Sequence, residues 1–79
     1  DQIFGMTGSD FLQGDDGDDQ LFGEAEGDML FGDAGNDFVY GGTGGDQIDG
    51  GTGNDDLRGQ QDDDSVFGGD GNDSIRGNS

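Results

Sequence analysis

The chain has no cysteine and no histidine. It therefore cannot form a disulfide, build a zinc–thiolate site or use histidine for acid–base catalysis. Only two of its 79 residues are cationic, Arg58 and Arg76, against 20 acids, a formal charge of −18. That balance repels nucleic acid and anionic membranes and attracts cations. No apolar run approaches the roughly 18 residues that a membrane-spanning helix needs. Neither an initiator Met nor a secretory leader opens the chain. A quarter of the residues are hydrophobic and 20 are glycine. Composition alone would describe an acidic disordered tail.

The order of the residues argues otherwise. Glycine recurs at every ninth position from Gly5 to Gly77. Aspartate recurs with the same period at Asp1, Asp10, Asp19, Asp28, Asp37, Asp46, Asp55, Asp64 and Asp73. Two residues beyond each aspartate stands an aliphatic: Ile3, Leu12, Leu21, Leu30, Val39, Ile48, Leu57, Val66 and Ile75. A strict short period means one small unit stacked on copies of itself. The unit reads G-G-x-G-x-D-x-U-x, with U aliphatic, as in Gly50 to Arg58 (GGTGNDDLR) and Gly68 to Arg76 (GGDGNDSIR). Its first six residues suit a tight turn with positive φ angles. Its last three suit a short strand with one side chain pointing in.

Two units make a coil of 18 residues, so residues 18 apart lie above one another. One parallel sheet then turns Ile3, Leu21, Val39, Leu57 and Ile75 inward, and the other Leu12, Leu30, Ile48 and Val66. The expected fold is an all-β solenoid with nine buried aliphatics in a core one side chain thick. So small a core cannot offset the entropy of ordering the chain, and stacked aspartates repel one another. A cation must fill the edges. Oxygen-only ligation selects a hard ion, and flexible carbonyl-rich loops suit Ca2+ better than Mg2+.

The repeat resembles the RTX nonapeptide repeat of secreted bacterial toxins, proteases and lipases, over essentially the whole chain, 1–79. The resemblance implies a right-handed parallel β-roll, a single module expected to be an excerpt or building block of a longer array. It implies Ca2+ as cofactor, a non-catalytic role, and folding outside a bacterial cell after secretion. Each ion would lie between two turns 18 residues apart. The upper turn would give its Asp and the carbonyls of its second and fourth positions. The lower turn would give its Asp and the carbonyls of its first and third.

Carried onto this chain, Asp10 and Asp28 share an ion with carbonyls of Met6, Gly8, Gly23 and Ala25. Asp19 and Asp37 share one with Asp15, Gly17, Gly32 and Ala34. Asp28 and Asp46 take Glu24, Glu26, Gly41 and Thr43. Asp37 and Asp55 take Asp33, Gly35, Gly50 and Thr52. Asp46 and Asp64 take Gly42, Gly44, Gly59 and Gln61. Asp55 and Asp73 take Gly51, Gly53, Gly68 and Asp70. Six ions would cut the formal charge from −18 to −6. Glu26 and Asp62 replace the fourth-position glycine, where a positive φ would strain a side chain. The eleven acids outside the series, such as Asp15, Asp16, Asp18 and Asp63, are expected to form a solvated acidic surface.

Other readings explain less. No window ends with the Glu at the twelfth position that an EF-hand loop requires. A glycosidase-type carboxylate pair would need a cleft, which a thin roll does not offer. Thr43 and Thr52 are too sparse for a regular ice-binding row. The sequon at Asn72-Asp73-Ser74 falls on a metal-binding turn. The outward strand positions add a separate expectation. Phe4, Phe11, Phe22, Met29, Phe31, Phe38 and Tyr40 cluster in the N-terminal half and are expected to mark a docking or self-association surface. Half-built sites at Asp1 and Asp64 are expected to be completed by a neighbouring unit, either in a longer array or by head-to-tail stacking into a fibre.

Overall fold

A computed structural model describes residues 2–60 and 64–76. Asp1, Gln61, Asp62, Asp63, Gly77 and Ser79, which figure in the expectations above, lie outside the described residues.

Nine strands of three residues each are present among them: β1 (Gln2–Phe4), β2 (Phe11–Gln13), β3 (Gln20–Phe22), β4 (Met29–Phe31), β5 (Phe38–Tyr40), β6 (Gln47–Asp49), β7 (Asp56–Arg58), β8 (Ser65–Phe67) and β9 (Ser74–Arg76). Odd strands form one sheet in the order β1-β3-β5-β7-β9, and even strands the other, β2-β4-β6-β8. All pairs are parallel with a register of 18: Ile3 opposite Leu21, Leu21 opposite Val39, Leu30 opposite Ile48. The fold is the expected right-handed β-roll. It measures 27 × 21 × 12 Å along its principal axes.

The middle residue of each strand points inward, as period-two alternation requires. Leu12, Leu21, Leu30, Val39, Ile48 and Leu57 form the core. Three of the nine expected core residues depart from this. Ile3 and Val66 are only partly buried against the core, and Ile75 is 50% exposed. A solenoid residue is covered by its neighbours one coil above and below, and Ile3 and Ile75 sit on outer strands of their sheet with a strand on one side only.

Backbone bonds tie each coil to the next at both ends of every strand. The first-position amide donates to a ninth-position carbonyl one coil on, as in Gly23 N to Tyr40 O at 2.9 Å. The carbonyl of each series aspartate accepts from a seventh-position amide one coil on, as in Phe38 N to Asp19 O at 2.8 Å. The turns between strands are thereby held at fixed height along two edges of the roll.

Candidate metal centre

The backbone of the turn explains the repeat. Second and fourth positions take positive φ throughout the described turns: Asp33 at 66° and Gly35 at 110°, Gly51 at 86° and Gly53 at 101°. Alternating the sign of φ swings successive carbonyls to opposite sides of the loop. The second- and fourth-position carbonyls turn toward the following coil. A methyl group on Gly51 would collide with the Asp33 carbonyl, and one on Gly53 with that of Gly35. On Gly44 it would lie 2.8 Å from the Glu26 Cα, so glycine is required there. One lone pair of several second-position carbonyls is already engaged: Thr52 N donates to Asp33 O at 3.0 Å and Thr43 N to Glu24 O at 2.8 Å.

Where the second or fourth position is not glycine, the backbone keeps the same shape. Met6, Asp15, Glu24, Glu26, Asp33 and Gln60 all have φ between 66° and 76°. Each left-handed L-residue carries roughly 1–2 kcal/mol of strain. Glu26→Gly should therefore stabilise the folded roll by about 0.5–1 kcal/mol, after the extra flexibility glycine gives the unfolded chain. The substitution also loses a solvent-exposed bond from Gly8 N to Glu26 Oε2, which is worth little. A melting temperature below that of the parent, measured in calcium, would refute the strain argument.

The series aspartates line the two edges. Asp19, Asp28, Asp37, Asp46 and Asp55 are buried, Asp28 and Asp46 to 1% exposure. Each carboxylate divides its two oxygens. Oδ1 accepts the amide of the aspartate one coil earlier: Asp10 N to Asp28 Oδ1 at 2.8 Å, Asp19 N to Asp37 Oδ1 at 2.9 Å, Asp28 N to Asp46 Oδ1 at 2.8 Å, Asp37 N to Asp55 Oδ1 at 2.8 Å. Oδ2 of Asp10, Asp28, Asp37, Asp46 and Asp55 is buried without a hydrogen-bond partner.

The first-position glycines pack closely against these carboxylates. A methyl group on Gly32 would lie 2.6 Å from Asp37 Oδ2 and 2.8 Å from the Gly50 carbonyl oxygen. On Gly23 it would lie 2.6 Å from Asp28 Oδ2 and 2.7 Å from the Gly41 carbonyl. Only glycine leaves room beside the carboxylate there. A buried carboxylate oxygen without a donor is costly, and a hard cation would offset that cost. The repeat resemblance assigns Asp37 with Gly50, and Asp28 with Gly41, each to one ion. Among the described residues, no three acidic side chains converge on one point.

The electrostatics agree. Burial raises the carboxyl of Asp37 to about 6 and that of Asp46 to about 7. Asp28 and Asp55 are raised for the same reason. The amide bond to Oδ1 opposes the rise, and the neighbouring aspartates of the rail add to it.

Some acids assigned to a solvated surface have structural work. Asp18 Oδ1 accepts Asn36 N at 2.7 Å, Asn36 Oδ1 accepts Asn54 N at 2.7 Å, and Asn54 Oδ1 accepts Asn72 N at 2.8 Å. This exposed ladder runs down one edge, opposite in sense to the aspartate rail beside it. Its signal in the sequence is Asp or Asn at every second fifth position. The other edge has Ser9, Gly27, Gly45 and Asp63 there.

The chain matches the family model described as the RTX calcium-binding nonapeptide repeat over residues 1–30, 23–57 and 49–79. It belongs to that family. Comparison with curated proteins and with solved structures returns no match. RTX repeats are calcium-binding structural units without a catalytic role.

Proposed function

We propose that this RTX roll is a calcium-dependent folding module of a secreted or cell-surface bacterial protein, which it stabilises or displays. The observation that carries the reading is the row of buried Oδ2 atoms of Asp10, Asp28, Asp37, Asp46 and Asp55, none with a hydrogen-bond donor. Calcium would supply the positive charge that this arrangement lacks. The ligands are those the repeat assigns: paired aspartates 18 residues apart, the second- and fourth-position carbonyls of the upper turn, and the first- and third-position carbonyls of the lower. Asp28, Asp37, Asp46 and Asp55 each serve two ions, which couples neighbouring sites. In low-calcium cytosol the chain stays unfolded, and outside the cell it folds.

Equilibrium dialysis against calcium tests the reading. The pairing predicts six ions per chain, bound cooperatively because interior aspartates are shared. A chain that takes up no calcium at about 10 mM, a level far above the weakest extracellular calcium modules, would end it.

A further inference from the structure

The seven outward apolar side chains do not form one patch. Phe11, Met29 and Phe31 belong to the even sheet, and Phe4, Phe22, Phe38 and Tyr40 to the odd sheet on the opposite face. The odd face is the more ordered of the two. Phe4 stacks on Phe22 with centroids 5.0 Å apart and planes at 11°. Phe22 lies 6.1 Å from Tyr40 and 6.2 Å from Phe38. Along the ninth strand positions this face reads Phe4, Phe22, Tyr40, Arg58, Arg76.

Both cations of a chain with 20 acids therefore stand in one row with its aromatics. Asp56 is the only acid at the odd sheet's outward positions, and Arg58 already pairs with it at 3.3 Å. The structure also shows how the face's cations meet its aromatics, here between the row and the neighbouring seventh-position row. The Arg58 guanidinium sits over the Phe38 ring, 5.2 Å from its centroid.

We propose that the odd face docks a second copy of this chain, about a twofold axis parallel to the strands at the Tyr40 rung. That rotation keeps the ninth-position row over itself and reverses its order. Phe4 then faces the partner's Arg76, Phe22 faces the partner's Arg58, and Tyr40 faces the partner's Tyr40. Cation–π contact of the kind already made within the chain is repeated four times across the interface. The copy is acidic overall, but its one acid at the odd sheet's outward positions, Asp56, faces a glutamine at the Gln20 rung of the other chain, so no carboxylate opposes another across these positions. The reversed face matches along its whole length, as an isologous contact must. A face of 27 × 21 Å limits the total burial to roughly 1,100 Å², at the low end for a specific interface. The dimer is accordingly weak and reversible.

The inference rests on the calcium reading only for the conditions in which the roll forms, and circular dichroism reports that separately from association. Sedimentation velocity of the β-structured chain from about 20 μM to 1 mM, the range for so small an interface, should show a concentration-dependent dimer. Arg76→Glu should weaken it by roughly tenfold or more, and Phe67→Ser on the opposite face should leave it unchanged. The chain has no cysteine, so single introduced thiols report the geometry. Oxidised mixtures of Gln2→Cys and Ser74→Cys should cross-link to each other and neither to itself. A β-structured chain that stays monomeric to about 1 mM overturns the proposal. So does a dimer indifferent to Arg76→Glu, or one in which Gln2→Cys links to itself.

Discussion

Stripped of calcium at neutral pH, the roll is expected to lose its β-structure, and millimolar calcium is expected to restore it cooperatively. Six aliphatics are buried, in a core one side chain thick. Against them stand buried carboxylates repeated once per coil along each edge. Adjacent strands are about 4.8 Å apart, and like charges at that spacing repel by on the order of 3 kcal/mol at an effective dielectric near 20. Burial adds its own penalty to the charged form, seen in the raised carboxyls of Asp37 and Asp46, about 6 and about 7.

The sign of the pH dependence follows. These folded-state values lie above the ordinary 3.8 of the unfolded chain. Their contribution to the calcium-free roll is therefore fully present below the unfolded value and is lost as pH rises through about 6 to 7. In chelator, acidification from neutral pH should recover part of the β-signal that calcium gives. Magnesium should substitute poorly, because it holds its waters and demands near-octahedral geometry. Far-ultraviolet circular dichroism decides all three points. An unchanged spectrum in excess chelator at neutral pH would sink the idea. A calcium-free chain that loses β-signal on acidification would show that carboxylate repulsion is not what opposes the fold.

Asp37→Ala should raise the calcium midpoint of folding by tenfold or more, about 1.4 kcal/mol or greater. Asp16→Ala should shift it by less than about twofold, as for surface substitutions away from special sites. Both remove one negative charge, so general acidity predicts equal effects. Asp37 is buried, accepts the Asp19 amide through Oδ1, and keeps Oδ2 buried without a hydrogen-bond partner. Under the proposed pairing it touches two ions. Asp16 is exposed on the turn. Asp37→Asn separates the two duties of the carboxylate, because the amide keeps an acceptor for Asp19 N while losing the charge. If Asp37→Asn folds at the parent's calcium concentration, the hydrogen bond matters and the ligand role is refuted.

The architecture was legible because its period is strict. Leu21 opposite Val39 and Leu30 opposite Ile48 follow from the 18-residue coil, and the positive φ at Asp33 and Gly35 from the glycines of the unit. Glu26 shows why the fourth-position exception stood out: its backbone is left-handed at 73° although it carries a side chain. Ile75 was misjudged because period says which way a side chain points and nothing about whether a neighbour covers it. Asp18 is on the surface as expected, and the sequence does not say that its carboxylate accepts the Asn36 amide. That Asp37 gives Oδ1 to an amide and leaves Oδ2 without a hydrogen bond is also out of the sequence's reach. It depends on the rotamer of a side chain, and the repeat specifies only its position.

The two edges of the roll are unequally tied. Along the edge of Asp19, Asp37 and Asp55, each coil is pinned to the next twice over, by the aspartate rail and by the ladder of Asp18, Asn36, Asn54 and Asn72. Along the other, Ser9, Gly27 and Gly45 carry no Asx side chain to repeat that ladder, and an exposed bond from Gly8 N to Glu26 Oε2 stands in its place. The sheets are joined like the covers of a book, with the Asx ladder as its spine. As calcium is withdrawn the fore-edge is expected to part first, which faster amide exchange at Asp28 and Asp46 than at Asp37 and Asp55 would show.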